Sequence, residues 1–259
     1  MSDIFHPHAA PVRDVDLDAP WRWLMAGWQD FRRVPVPSLI YGGIFALVGY
    51  LLTRAALDRN NFHFVMPLAS GFMLMGPVFA VGLYDISRRL EMGVPVRFKT
   101  CCMACRKNIG QIALMGLALL LFMLIWIRIA TLIYALFFVE TAPAMDEFLI
   151  DTLLAPEALP FLVVGTLSGA VLAVAVFSIS VISIPMLLDR DTDALSAILT
   201  SIAAVRQNWK TLWGWACLIV LFTGAGVFFF YVGLALTLPL IGYATWHAYR
   251  DIVGHDETA

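Results

Sequence analysis

Long apolar runs separated by short charged stretches dominate the chain. Segments near 36–57, 64–86, 109–131 and 159–188 each have the length, about 20 residues, that a helix needs to cross a hydrocarbon layer roughly 30 Å thick. A further run, Leu212–Tyr249, holds 38 residues without one Asp, Glu, Lys or Arg. As a single helix it would extend roughly 57 Å, too far for one crossing. It is expected to fold as two helices turning near Tyr231–Leu236, which makes six spans.

The charged stretches orient those spans. With the N-terminus cytoplasmic, fourteen of the 17 Lys and Arg fall on the inner side, in the N-terminal segment, the loop from Arg88 to Lys107, the loop from Arg190 to Lys210, and Arg250. Only Arg54 and Arg59 fall outside, Arg128 lies within a span, and the outer loop Glu140–Glu157 carries five acids and no basic residue. Cytoplasmic loops carry the Lys and Arg excess, so both termini are expected inside. Composition agrees: 61% hydrophobic, 14% charged, mean hydropathy +0.82, against an apolar share of about 45–50% in soluble domains. The net charge of −2 leaves no extended basic field for nucleic acid. Residues 1–33 contain Asp3, Asp14, Asp16 and Asp18 and no continuous apolar core, which argues against a cleaved signal peptide. Residues 1–16 read as a disordered tail, 17–252 as one membrane domain and 253–259 as a C-terminal tail.

An internal repeat is visible at the starts of the odd-numbered spans. Arg106-Lys107-Asn108 and Arg206-Gln207-Asn208 each open a span, and Arg32-Arg33 stands at the corresponding place in the first hairpin, without the asparagine. Each follows a segment of helical periodicity: Leu17, Trp21, Leu24, Trp28 and Phe31; then Val94, Phe98, Cys101, Cys102 and Cys105; then Leu195, Ile198, Ile202, Val205 and Trp209. Spacings of three and four put each set on one helix face, and amphipathic helices of this kind lie in the headgroup region. The returning spans share a proline (Pro77, Pro185, Pro239) and an aspartate near the inner end (Asp85, Asp189, Asp251). The predicted fold is all-α: three transmembrane hairpins, each preceded by a cytoplasmic interfacial helix, in units of about 17–86, 94–188 and 194–252.

The segments G-P-V-F-A-V-G-L-Y-D-I-S-R-R-L-E-M-G (Gly76–Gly93) and D-R-D-T-D-A-L-S-A-I-L-T-S (Asp189–Ser201), followed by V-R-Q-N and a W-x-W, resemble a family of bacterial predicted integral membrane proteins, a domain of unknown function. Some of its members carry automatic labels such as cytochrome c oxidase subunit one. The resemblance covers roughly residues 30–252. It implies a six-span protein of the bacterial inner membrane, with no activity and no catalytic residues to transfer; association with a respiratory complex is implied by that labelling alone.

Candidate chemistry changes this picture little. A haem–copper centre needs several inward imidazoles; of five histidines (His6, His8, His63, His247, His255) only His247 approaches a span interior. Cys101, Cys102 and Cys105 lie close enough on a helix for thiolates to hold Cu(I) or Zn, with Arg106 and Lys107 favouring ionisation. The competing reading, which the aligned Trp28, Phe31, Ile198, Ile202 and Val205 favour, is that they fill the apolar face of an interfacial helix. Arg128, an isolated charge in a span, is a functional candidate by default. Lying about 28 Å along the helix from Ile109, it is expected to snorkel at the outer boundary or pair with an acid such as Glu140. Asp85 with Arg88 and Arg89, and Asp189 with Arg190 and Asp193, sit where spans enter the cytoplasmic interface and read first as boundary charge and helix capping. The alternative is an inner polar ring between units, formed by Arg33, Arg106 and Arg206 with Asp85, Asp189 and Asp251. Gly165 and Gly169 form a G-x-x-x-G packing face, within the bundle or between copies in a homo-oligomer.

No catalytic motif or resident cofactor is indicated. The first reading is a non-enzymatic accessory, assembly or scaffold module whose partners are membrane lipids or another membrane complex. The alternative is a small transporter or channel using the proline-interrupted spans; span centres holding mainly Ser, Thr and Gly suit an apolar or lipid-like cargo rather than an ion.

Overall fold

The computed structural model describes residues 9–58, 71, 73–96, 108–138, 158–229 and 231–254. It is all-helical, with no strand among those residues. In chain order the helices are α1 (Ala19–Arg33), α2 (Pro35–Asp58), α3 (Gly76–Phe79), α4 (Val81–Glu91), α5 (Ile109–Phe137), α6 (Ala158–Ser180), α7 (Ser183–Asp189), α8 (Ala194–Gln207), α9 (Trp209–Phe228) and α10 (Leu234–Val253).

Four stretches among the described residues are long and apolar enough to cross a bilayer: Pro35–Arg54, Ile109–Phe137, Leu159–Asp189 and Trp209–Phe228. The two other expected spans differ. Of 64–86, residues 64–70 and 72 lie outside the described residues, and the remainder includes the short α3 and the start of α4. The last one exists as α10, but its C-terminal half carries His247, Arg250 and Asp251. The 38-residue charge-free run is two helices, as its length demanded. Its turn lies at Phe229–Gly233, where Tyr231 adopts φ 64°, slightly earlier than the expected Tyr231–Leu236. Glycine makes this hairpin close: a Cβ on Gly233 would stand 2.8 Å from the Gly226 Cα.

Proline punctuates the helices in three ways. Val34, preceding Pro35, leaves the helical region (φ −134°, ψ 63°), so α1 stops and α2 starts at once. Ahead of Pro185 the helix breaks at Val181–Ile182. The freed groups are satisfied locally: Ile182 N–H donates to Ser201 Oγ at 3.2 Å and Ser183 Oγ donates to the Ile179 carbonyl. Pro239 lies inside α10 without ending it.

The described chain divides into two units. The first comprises residues 1–48, 77–116 and 177–259, the second 49–76 and 117–176. In the first unit α10 is the central post, packed by α1, α4, α7 and α9. Tyr243, Trp246, Tyr249 and Ile252 of α10 are buried, as are Leu83, Ile86, Ile184, Leu187 and Trp215 on its neighbours. Gly27 lets α1 rest on the backbone of Leu240 and Ala244, and Gly42 lets α2 rest on Ala235. The second unit is packed by aromatic rings: Phe161 meets Phe138 edge-on at 5.1 Å and Tyr134 at 6.4 Å, and Trp126 lies over Gly169.

Residues 10–16, assigned to the tail by their composition, run along the first unit. Ala10 N–H donates to Thr200 Oγ1, Arg13 N–H to the Ile252 carbonyl and Val15 N–H to Asn208 Oδ1, each within 3.0 Å.

Candidate functional site

Asp85, Asp189 and Asp251 lie in the first unit; Asp189 and Asp251 join helices distant in sequence, and Asp85 is paired within its own helix. Asp85 on α4 is completely buried and accepts from Arg88 Nη2 at 2.7 Å and Arg89 Nε at 2.6 Å. Both arginines follow within one turn, so α4 itself supplies the compensation that a buried carboxylate requires. Arg88 also reaches the Leu188 carbonyl at the end of α7 through Nη1, at 3.4 Å.

Asp189 closes α7 and accepts from Tyr249 OH and Arg250 Nη1 of α10, both at 2.9 Å. Arg190 donates to Tyr249 OH at 3.1 Å and to the Gly254 carbonyl at 2.8 Å, placing a cation where the α10 carbonyls end. Arg250 Nε and Trp246 Nε1 both donate to Glu91 of α4, at 3.2 and 3.1 Å. Asp251 accepts from Trp23 Nε1 of α1 at 2.9 Å, with Arg22 at 3.6 Å.

A fourth acid completes the set. Asp30, on the inner face of α1 and 4% exposed, accepts from the Ser87 hydroxyl of α4 and makes a 2.8 Å contact with His247 Nε2 of α10. Arg33 approaches it at 3.9 Å. One carboxylate therefore joins three helices. The signal for Asp30 was present in the sequence: it is the sole acid within α1, and the inner positions Trp23, Gly27 and Phe31 recur around it at helical spacing.

The repeated asparagines do equivalent work. Asn108 donates from Nδ2 to the carbonyls of Leu187 (3.2 Å) and Thr192 (3.0 Å), just ahead of α8. Asn208 donates to the Arg13 carbonyl and accepts from Val15 N–H, both at 2.9 Å, just ahead of α1. Each clamps the chain segment leading into an amphipathic helix distant in sequence. The residue three positions on helps: Gln111 Oε1 accepts from Ala194 N–H at 3.0 Å, satisfying an orphan donor at the start of α8. Asp193 caps the same helix, accepting from Ser196 N–H at 2.9 Å and its hydroxyl at 2.7 Å. Those hydrogen bonds hold its carboxyl below the usual carboxylate range.

Arg88 and Arg89 engage Asp85 and Arg250 engages Asp189, while Arg190 bonds Tyr249 and the Gly254 carbonyl. Of the arginines named for the ring, Arg33 is exposed and approaches Asp30, and Arg206 is exposed. Arg106 and the cysteines Cys101, Cys102 and Cys105 lie outside the described residues. Arg128 is exposed on α5, which continues to Phe137, about two and a half turns beyond it; Glu140 lies outside the described residues. Of the glycine pair, Gly169 packs under Trp126, where a Cβ would approach the ring to 3.0 Å, while Gly165 has nothing within 4 Å of its Cβ position.

The amphipathic helices also turn differently from the expectation. On α1, Leu24 and Phe31 face inward with Trp23 and Gly27, while Trp21, Met25 and Trp28 are exposed, as is Leu17 just ahead of the helix. On α8 the inner face is made of Ala194, Ala197, Thr200, Ser201 and Ala204. Small side chains bring α8 close to its neighbours and leave the bulkier Leu195 and Leu199 outside.

Comparison with curated proteins and with solved structures gives no match. Residues 65–189 hold α3 to α7 with the Asp85 and Asp189 clusters. They match the model of a family described as predicted integral membrane protein (DUF2189), and over that segment the chain carries the pattern of this membrane-protein family of unknown function.

Proposed function

We propose that the chain is a non-enzymatic accessory, assembly or scaffold module of the bacterial inner membrane, with six spans and both termini cytoplasmic. One observation carries this reading: Asp30, Asp189 and Asp251 each accept from side chains of another helix, and Arg88, paired with the buried Asp85, reaches the α7 carbonyl of Leu188, so that α1, α4, α7 and α10 are tied together. Buried charge used as a clamp between helices favours a fixed architecture over proton or group transfer. Two further features support the topology. Arg13 N–H bonds to the Ile252 carbonyl at 2.8 Å, so the two ends of the described chain meet, as an even number of crossings requires. The Lys and Arg distribution supplies the orientation.

The test is native mass spectrometry of the full chain extracted from its own membrane in mild detergent, beside solute flux into liposomes. A stoichiometric membrane partner with no flux is the expected result. Bare protein with flux of an apolar solute would replace this reading by the transporter.

A further inference from the structure

Two helices present the same outward pattern. Trp21, Met25, Trp28 and Arg32 on α1 and Leu195, Leu199, Ile202 and Arg206 on α8 stand at the same spacings of four, three and four. Those spacings put each quartet on one arc. Trp21 is 61% exposed, Met25 66% and Leu195 54%; Ile202 is half-buried and both arginines are exposed. In a water-soluble protein such arcs would be left uncovered at a cost. Here each helix passes through a single residue, Val34 or Asn208, into a membrane-crossing stretch starting at Pro35 or Trp209. That short junction holds both arcs at the depth where the spans leave the hydrocarbon.

The charges on the arcs indicate what covers them. Arg32 and Arg206 form no ion pair among the described residues. By contrast, Arg22 faces Asp16 and Asp251, and Arg33 faces Asp30. One residue past the α8 junction, Lys210 lies 5.6 Å over the exposed Trp209 ring. Tryptophan and arginine together suit the headgroup layer: the indole settles at the apolar–polar boundary, and the guanidinium at the end of an apolar stem pairs with phosphate in bidentate fashion. A second copy of the chain is a poorer cover, because like arcs would set arginine against arginine.

We propose that these two arcs are docking platforms for anionic phospholipid. Each lays its three apolar side chains into the cytoplasmic leaflet and pairs its arginine with a lipid phosphate, so that the protein selects phosphatidylglycerol-type headgroups over zwitterionic ones. The inference rests on the inner-membrane topology above for its orientation, but not on whether the module is accessory or transporting.

The experiment is native mass spectrometry of the full chain in mild detergent, titrated separately with phosphatidylglycerol and phosphatidylcholine. Wild type is expected to retain phosphatidylglycerol preferentially. The double variant Arg32→Gln, Arg206→Gln is expected to lose about 25-fold of that preference, about fivefold for each arginine near an anionic surface, with phosphatidylcholine retention unchanged. The double variant Arg32→Lys, Arg206→Lys should recover most of it. Preference in wild type should also fall as ionic strength rises. An unaltered preference in the glutamine variant, or a preference insensitive to salt, overturns the proposal; so does efficient cross-linking of two copies through Trp21→Cys independent of lipid. Labelling of cysteines placed in the loops reports topology in the same samples. Termini found outside would overturn the topological reading, whereas loss of lipid selectivity with correct topology would overturn this one alone.

Discussion

The two units of the described chain are held together by different physics. The first is stitched by buried carboxylates, arginines, asparagines and tyrosines around α10. The second relies on ring-on-ring and ring-on-glycine contacts among Trp126, Tyr134, Phe138, Phe161 and Gly169. In hydrocarbon, apolar packing has little advantage over contact with lipid tails, so close fit must do the work. A buried ion pair, by contrast, is costly to form and costlier to break on one side. The first unit should therefore respond sharply to single polar substitutions and the second to changes of shape.

The largest effect is expected at Asp85. Replacement by alanine strands Arg88 and Arg89 beside a fully buried position and should cost about 3–5 kcal/mol, read as a large drop in Tm of the detergent-solubilised protein. In the second unit, Gly169→Val should cost about 1–3 kcal/mol by forcing the Trp126 ring outward. Gly165→Val, with open space at its Cβ, should leave Tm nearly unchanged, and a comparable loss at both glycines would contradict the contact. Asn208→Ala should cost about 1–2 kcal/mol by leaving Val15 N–H and the Arg13 carbonyl without their partner. Hydrogen exchange should then accelerate at residues 13–15.

The smallest effect is expected at Asp193→Ala, about 1 kcal/mol for a lost helix cap. Because the Asp193 carboxyl is held below its ordinary value, its contribution is present in full above about pH 4. It fades as pH falls through the depressed folded value. The alanine variant should therefore lose this part of the acid dependence of α8 unfolding, measured by hydrogen exchange between neutral and acidic pH.

Sequence pattern reached different depths in the two units. The helical runs and the need to split Leu212–Tyr249 followed from length alone; the family match over 65–189 contains the G-P-V-F…D-I-S-R-R stretch but ends at Asp189, the first residue of D-R-D-T-D, and falls short of the expected 30–252. Asn108 and Asn208 were visible as a repeat, but not the chain segments they clamp, about 80 and 190 residues away. The aspartates were legible as a set, and Asp85 was legible beside Arg88 and Arg89, but the engagement of Asp189 by Tyr249 and Arg250 was not. Periodicity gives a residue's direction around its own helix; it does not say which neighbouring helix lies there. Glu91, Tyr249 and Asp30 acquire their roles from that neighbour.

The sequence by itself determined the membrane as solvent, since 61% hydrophobic residues in runs of spanning length cannot be buried in a chain of this size. It also placed most of the long helices to within a few residues, because prolines, glycines and charge act locally, although the break at Val181–Ile182 inside the expected 159–188 span was not read from it. The tertiary structure decided which face of each amphipathic helix is inside. On α1 the presence of Gly27 among larger residues sets the close approach to α10 and turns Trp21 and Trp28 outward. On α8 the choice fell on the alanine and serine face. Both outcomes depend on how closely two backbones can pack, a property of the pair of helices that neither segment carries alone.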